Sequence, residues 1–330
     1  MSVKELLRAA QTAIRRDIMQ LALRGDGREM KSHGDYGFPL LISLEHLSAY
    51  EMSSFACHWH PELEFTLILK GEILYQINDH TYHLKAGEGV FCNSNMLHTG
   101  RRAGSSDCTY LSVTVNPSLL YGYEASLIQT KYIQPVTKNP LFPSVPFTEG
   151  EAWGKEVLLY MQQIWQLYQE PTSDYELELL IRLYQIWALL YRHLDFSQQP
   201  SLNDARELER LRMIITFIHE HYMDHITLED IASCASMCKS ECCRLFKRNM
   251  KQSLLIIFFT TGSVRACLIL TMGKDSITDI SIQCGFFQSL LLYKTVPPLY
   301  GLHSKGIYGF PPIGCRTDRL KFPFCLKFLC

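Results

Sequence analysis

Three histidines and one carboxylate stand at spacings that suit metal or polar-ligand binding. His58 and His60 lie two apart, Glu64 follows four residues on, and His98 ends the turn-rich stretch GEGVFCNSNMLH. On a strand, residues two apart share a face, so His58 and His60 point the same way and Glu64 keeps their parity. Imidazole nitrogens and a carboxylate oxygen form a donor set for a divalent metal. With Tyr75, the same groups form a pocket for a small polar effector, which is the favoured reading. A divalent metal on His58, His60, Glu64 and His98 is admitted but not required. No residue is assigned a catalytic role.

A second set of residues points to nucleic acid. Between 239 and 251 there are five basic residues and one acidic, a net of +4: Lys239, Glu241, Arg244, Lys247, Arg248 and Lys251. Cys242, Leu245 and Phe246 fall on the opposite face of the same helix. A shorter helix precedes it, with Thr227 as N-cap and Asp230 at the reciprocal capping position. Leu228, Ile231, Ala232 and Ala235 form its apolar side, and Ser236-Met237 the turn. One short helix bracing a second, basic one is the requirement of a helix-turn-helix. Basic side chains hold phosphates while the start of the helix reads base edges. Lys239, Ser240, Glu241, Arg244, Lys247 and Arg248 are the candidate DNA contacts.

The elements that must position these residues follow from periodicity. Residues 2–24 have apolar positions at helical spacing and predict an N-terminal helical segment within 1–35. From 36 to 125, short apolar runs alternate with turns at Lys70-Gly71 and Asn78-Asp79, predicting a small antiparallel barrel or sandwich. From 150 to 195 the period becomes helical. Val157, Tyr160, Met161, Ile164, Leu167 and Tyr168 line one helix. A second starts at Ser173 with Glu176 closing a capping box, and presents Leu177, Leu180, Ile181, Tyr184, Trp187, Leu190, Tyr191 and Leu194. These aromatic-rich faces pack on the barrel or form a dimer interface. Residues 195–204 read as a polar linker, and a helical domain runs over 205–286.

Composition narrows the class. The 330 residues are 47% hydrophobic and 20% charged with a net charge of −1, so any DNA contact comes from a local patch. No signal peptide or apolar run of transmembrane length appears. Twelve scattered cysteines without a CxxC pair read as reduced thiols in the cytoplasm.

The front of the chain resembles the cupin barrel. His58, His60, Glu64 and Gly71 match the first cupin motif; Gly87 and His98 match part of the second, while Asn93, Asn95 and Arg102 depart from it. The back resembles the AraC-type regulators, which carry two helix-turn-helix units. The matching segments are TLEDIA, the run Ser240 to Lys247, and ITDISIQCGF, with Ser276 and Asp279 as a second capping pair. Together the resemblance spans roughly 40–286. It implies an α+β protein with a sensor barrel, a helical linker or dimerisation segment, and an all-α DNA-binding domain acting as a dimer.

The chain departs from that pattern after Phe286. Residues 287–330 carry proline pairs at 297–298 and 311–312, few charges and no amphipathic period, so no continuous helix fits there. Permitted codons for Phe287 to Ile307, read one base later, spell SSPSYYTKQFRRYMGCTPKEY, which resembles the missing AraC-type segment. Leu255 to Ser263, read two bases later, gives DYLFHYRIG, similar to the family's joining helix. Reading-frame shifts therefore account for a second unit without its reading helix. The expected consequence is an out-of-frame, disordered tail over 287–330, poor folding beyond 286 and weakened DNA binding.

The sequence thus predicts a cytoplasmic, dimeric transcription regulator with no membrane partner. It binds promoter DNA and a small-molecule effector, with a sugar suiting the His, Tyr and Glu pocket. A cupin-type metal-dependent oxygenase or isomerase is the enzymatic rival, and a non-functional regulator remnant is the other.

Overall fold

The computed structural model describes residues 21–24, 27–50, 53–198, 200–221, 224, 226–251 and 254. The chain divides into two compact units, with the boundary between Glu209 and Arg210. The expected helix over 2–24 lies largely outside the described residues. Its described end does not bear out a helical segment reaching 35. Around it the chain is extended, with isolated bridges Leu23 to Glu29 and Arg28 to Trp59.

Among the described residues, nine strands build the first unit: β1 (Leu40–His46), β2 (Ser54–His58), β3 (Leu63–Lys70), β4 (Glu72–Ile77), β5 (His80–Lys85), β6 (Gly89–Cys92), β7 (His98–Arg102), β8 (Thr109–Val115) and β9 (Ser144–Phe147). They form a five-stranded sheet, β1-β8-β3-β6-β9, and a four-stranded sheet, β2-β7-β4-β5. All named pairs are antiparallel. The result is the expected cupin-like antiparallel fold, in the form of a two-sheet jelly roll with β1, β9, β2 and β5 at the sheet edges. The domain also runs past the expected end at 125, since β9 completes the larger sheet.

The turn residues act as the sequence indicates. Gly71 joins β3 to β4 at φ +73°, and a Cβ there would meet the Asp107 carbonyl oxygen at 2.3 Å. Only glycine accepts that position without displacing backbone. Asn78 turns β4 into β5 at φ +48°.

Alternation along β3 decides what faces the site. Leu63, Phe65 and Leu67 point to one apolar core, and Ile68 to another. The second core joins Phe55, Ile73, Tyr75, Ile77 and Leu84 of the smaller sheet to Ile68, Val90 and Tyr110 of the larger. It is the inside of the jelly roll. The first core covers the outer face of the larger sheet with helices.

After a single turn at α1 (Ser118–Tyr121) and a π-helical stretch (Gln129–Ile133) that runs on into α2 (Gln134–Thr137), the long helices α3 (Ala152–Gln169) and α4 (Tyr175–His193) supply that cover. Val157, Leu158, Met161 and Ile164 of α3 and Leu179, Leu183, Ile186, Trp187 and Leu190 of α4 are buried in it. Helix α4 starts two residues later than expected, and Asp174 as N-cap makes no side-chain cap bond, so the capping box at Ser173 is not formed. Leu177, Ile181 and Tyr184, read on the apolar face that packs on the barrel or forms a dimer interface, are exposed. Helix α5 (Leu202–His221) begins inside the segment read as a linker.

The second unit contains α6 (Leu228–Cys234) and α7 (Lys239–Met250). The expected capping box is complete, with Thr227 Oγ1 accepting from the Asp230 amide and Asp230 accepting from the Thr227 amide. Leu228, Ile231, Ala232 and Ala235 are buried, as are Cys242, Leu245, Phe246 and Met250 of α7 and Leu211, Ile214, Ile215 and Ile218 of α5. Ser236 takes the sharp turn at φ +53°. The readings at 255–263, of a second unit at 276–286 and of the tail at 287–330 fall outside the described residues.

Candidate functional site

Five strands and one loop bring polar side chains to one end of the jelly roll. His58 closes β2 and pairs across the sheet with His98 at the start of β7. A β-bulge between Phe55 and His58 turns both residues inward, although strict alternation would oppose them. His60 lies beyond the strand, yet its ring centroid is 5.0 Å from that of His98. Glu64 and Thr66 come from β3, Tyr75 from β4, and Ser112 and Thr114 from β8. The sequence-assigned effector set, His58, His60, Glu64, Tyr75 and His98, is therefore brought together, and all five are buried.

Glu64 is the hub. Its Oε1 accepts from Ser112 Oγ at 2.9 Å, Thr66 Oγ1 at 3.1 Å and Tyr75 Oη at 3.4 Å. Its Oε2 lies 3.3 Å from His60 Nε2 and 3.3 Å from His98 Nε2. The His60 contact is a hydrogen bond; the His98 contact is close enough for charge attraction but is not aligned as one. Burial works to raise the Glu64 carboxyl, but the two imidazoles outweigh it and hold it well below the usual carboxylate range. Burial likewise opposes a His98 imidazolium, while the neighbouring Cys92 sulfur and Glu64 hold His98 well above its usual value. His58 is pushed well below its own, by burial and then by repulsion from the other two imidazoles. Glu64 is thus held toward its charged form, His98 toward its protonated form and His58 toward its neutral form.

Two backbone contacts set the ring nitrogens. His58 Nδ1 is 2.9 Å from the Ala56 carbonyl and His98 Nδ1 is 2.9 Å from the Met96 carbonyl. An N–H donated there turns each Nε2 toward the cavity, the arrangement that orients metal-binding imidazoles. One donor atom from each of His58, His60 and His98 lies within 4.8 Å of the others. The residues therefore fit a divalent metal, with three nitrogens and Glu64 beside them.

Three polar residues here carried no signal in the sequence. His33 Nε2 is 3.0 Å from Glu29 Oε2, and His33 Nδ1 is 3.2 Å from Glu62 Oε2. Glu29 Oε2 is also 3.9 Å from His58 Nε2. Backbone bonds from Glu29 to the Trp59 carbonyl and from Trp59 to the Gly27 carbonyl hold this segment beside the site.

The other candidate interface is the outer face of α7. Lys239, Ser240, Arg244, Lys247 and Arg248 are exposed, and Glu241 is half-buried. Two of the assigned residues make ion pairs inside the unit: Lys239 Nζ with Glu229 Oε2 at 2.8 Å, and Glu241 Oε1 with Arg210 Nη1 at 3.4 Å. Lys247 and Arg248 lie one helical turn beyond Arg244 on the exposed side of α7.

Known proteins resemble both parts. Residues 41–187 match the AraC-like ligand binding domain family. An uncharacterized HTH-type transcriptional regulator, YdeC of Bacillus subtilis, is 33% identical over 229 residues, covering 69% of this chain and 77% of that protein. The lactose operon transcription activator of Staphylococcus xylosus is 25% identical over 237 residues, covering 69% and 77%. A solved structure of ToxT from Vibrio cholerae is 9% identical and covers 81% of this chain and 97% of its own, with a TM-score of 0.40. A ligand-binding jelly roll and a capped helix-turn-helix thus occur in a chain one-third identical to such a regulator, and the chain belongs to the AraC-type transcriptional regulators.

Proposed function

We propose that this regulator binds promoter DNA through Ser240, Arg244, Lys247 and Arg248 of α7, under the control of a small polar effector held by His58, His60, Glu64, Tyr75 and His98. The observation that carries the reading is the convergence of His58, Glu64, Tyr75 and His98, with Ser112 and Thr114, on one cavity, with His60 held against Glu64 behind them. A carboxylate, an imidazolium and several hydroxyls offer the donors and acceptors that a sugar's hydroxyls require. The lactose operon activator among the relatives supports the same effector class.

The cavity is about 40 Å³, room for only a few waters. A sugar ring therefore enters only when lining residues move. Leu21, Glu29, Lys31 and His33 line part of the cavity, and they belong to the segment before β1, which is joined by isolated bridges. An effector that binds one arrangement better than the other changes DNA affinity by that difference.

Where a divalent metal is bound, His58, His60 and His98 would hold it, and it would anchor an effector oxygen as a Lewis acid. The regulator requires no metal and no enzymatic turnover. Leu177, Ile181 and Tyr184 form an exposed stripe on α4 at helical spacing, which supports a homodimer. Among the described residues no helix is long and apolar enough to cross a membrane, and promoter DNA as the partner places the protein in the cytoplasm.

The test is DNA binding with and without a panel of mono- and disaccharides, comparing wild type with His58→Ala and Tyr75→Phe. One sugar should shift wild-type affinity at least about fivefold, the low end of allosteric coupling, and both variants should lose the shift while keeping basal DNA binding. Retention of the full shift in both variants would remove the effector from this cavity.

A further inference from the structure

A second cluster of donors lies beside the effector cavity and faces a different opening. We propose that His33, His60 and Glu62 form a divalent-cation site, separate from the His58, His60 and His98 set, that ties the segment around His33 to the jelly roll.

Geometry comes first. One donor atom from each of the three residues lies within 4.8 Å of the others. Glu62 Oε2 is 3.2 Å from His33 Nδ1 and 3.6 Å from His60 Nδ1. Ligands at zinc bond lengths in a tetrahedral shell stand about 3.3 Å apart, so these separations need little adjustment.

The outer contacts agree. His33 Nε2 bonds to Glu29 Oε2 at 3.0 Å, and His60 Nε2 to Glu64 Oε2 at 3.3 Å. Each imidazole thus has a carboxylate on its far nitrogen, the arrangement that fixes the tautomer and raises the basicity of metal-binding histidines. Both Nδ1 atoms are left toward Glu62. His60 is 2% exposed, and its Nδ1 is buried without a hydrogen bond. A buried nitrogen aimed at a carboxylate from beyond hydrogen-bond range is accounted for by an ion between them.

Access is available. His33, Glu62 and Glu29 line a surface cleft of about 350 Å³, which supplies an entry path and leaves the fourth position of a three-ligand site open. Two imidazoles and one carboxylate select a zinc- or cobalt-like ion over magnesium or calcium. A neutral imidazole has one lone pair, so His60 serves this site or the neighbouring set, one at a time. A cation here therefore leaves the His60 Nε2–H on Glu64.

The experiment titrates the full chain with Co²⁺, read by visible absorption, and with Zn²⁺, read by calorimetry. Wild type should bind one equivalent through nitrogen and oxygen donors. His33→Gln and Glu62→Gln should each weaken binding at least about tenfold, while His98→Gln stays within about threefold of wild type. In wild type, Zn²⁺ should also slow tryptic cleavage at Arg28, a readout that needs no variant. Three results would overturn the proposal: no binding; loss in His98→Gln with His33→Gln and Glu62→Gln unchanged, which puts the ion in the neighbouring set; or thiolate charge-transfer absorption, which puts it on cysteines.

Discussion

Glu64 and His98 face each other inside the jelly roll with 3.3 Å between Oε2 and Nε2. Their strands belong to different sheets, so this charge pair bridges the two layers at the effector cavity. Three hydroxyls on the other carboxylate oxygen complete its environment. Removing one member of such a buried pair leaves the other charge uncompensated.

Glu64→Ala should therefore destabilise the jelly roll by about 3–5 kcal/mol, and Glu64→Gln, which keeps an acceptor for the hydroxyls, by less. Urea unfolding of both variants measures the difference. A loss under about 1 kcal/mol in the alanine variant would show that the pair is not buried as described.

Thr227 and Asp230 satisfy each other's backbone amides at the start of α6. Thr227→Ala should cost about 1 kcal/mol and weaken DNA binding only in proportion to unfolded protein. Thermal unfolding of the second unit reads it. A full-strength module after this change would mean that α6 is held by packing alone.

Acid should act on the second unit through His219. Burial pushes its imidazole down to about 4 from 6.5, although the side chain keeps a partly accessible edge. Between those values the unfolded chain binds a proton that the folded unit excludes. The stabilisation is full above pH 6.5 and is lost as pH falls toward 4, by at most about 3 kcal/mol. His219→Gln should flatten that part of the stability–pH curve; an unaltered slope would contradict the assignment.

Thiol reactivity should separate two cysteines on α7. Cys238 is the exposed N-cap, and the Ser240 hydroxyl 3.3 Å from its sulfur, with the backbone at the head of α7, lowers its thiol below the usual value. Cys242 is buried and pushed up to about 12. Iodoacetamide near neutral pH should label Cys238 well before Cys242, and labelling at the head of α7 should weaken DNA binding. Equal labelling would mean that the α6–α7 packing is open in solution.

Much of this was legible in the sequence because it rests on local rules. The capping box at Thr227, the apolar face through Ile231, Leu245 and Phe246 and the turn at Gly71 each follow from spacings of a few residues, whereas the shared strand parity read for His58, His60 and Glu64 does not apply, because β2 ends at His58 and Glu64 lies on β3 of the other sheet. What was missed depends on contacts far apart in sequence or on broken periodicity. His33 reaches Glu62 across 29 residues, and nothing in its neighbourhood marks it. The bulge after Phe55 turns His58 inward against alternation. Leu177 and Ile181 matched a helical stripe, but that stripe is wider than the sheet can cover, so its edge stays exposed. The ion pair of Glu241 with Arg210 joins α7 to α5 across 31 residues, a contact that spacing within α7 does not reveal.

The most direct test of the central claim is binding to the DNA upstream of the protein's own gene at two salt concentrations, about 50 and 200 mM. Three chains are compared: this one, its Arg244→Ala variant, and a chain restored to the shifted reading at 255–263 and after Phe286. The restored chain should bind specifically, with affinity falling steeply as salt rises. This chain should bind the same site more weakly, and Arg244→Ala should lose affinity and reduce the salt slope by about one phosphate contact. Folded protein of all three kinds with no sequence-specific binding at either salt concentration would contradict the assignment of α7 as a DNA-reading helix.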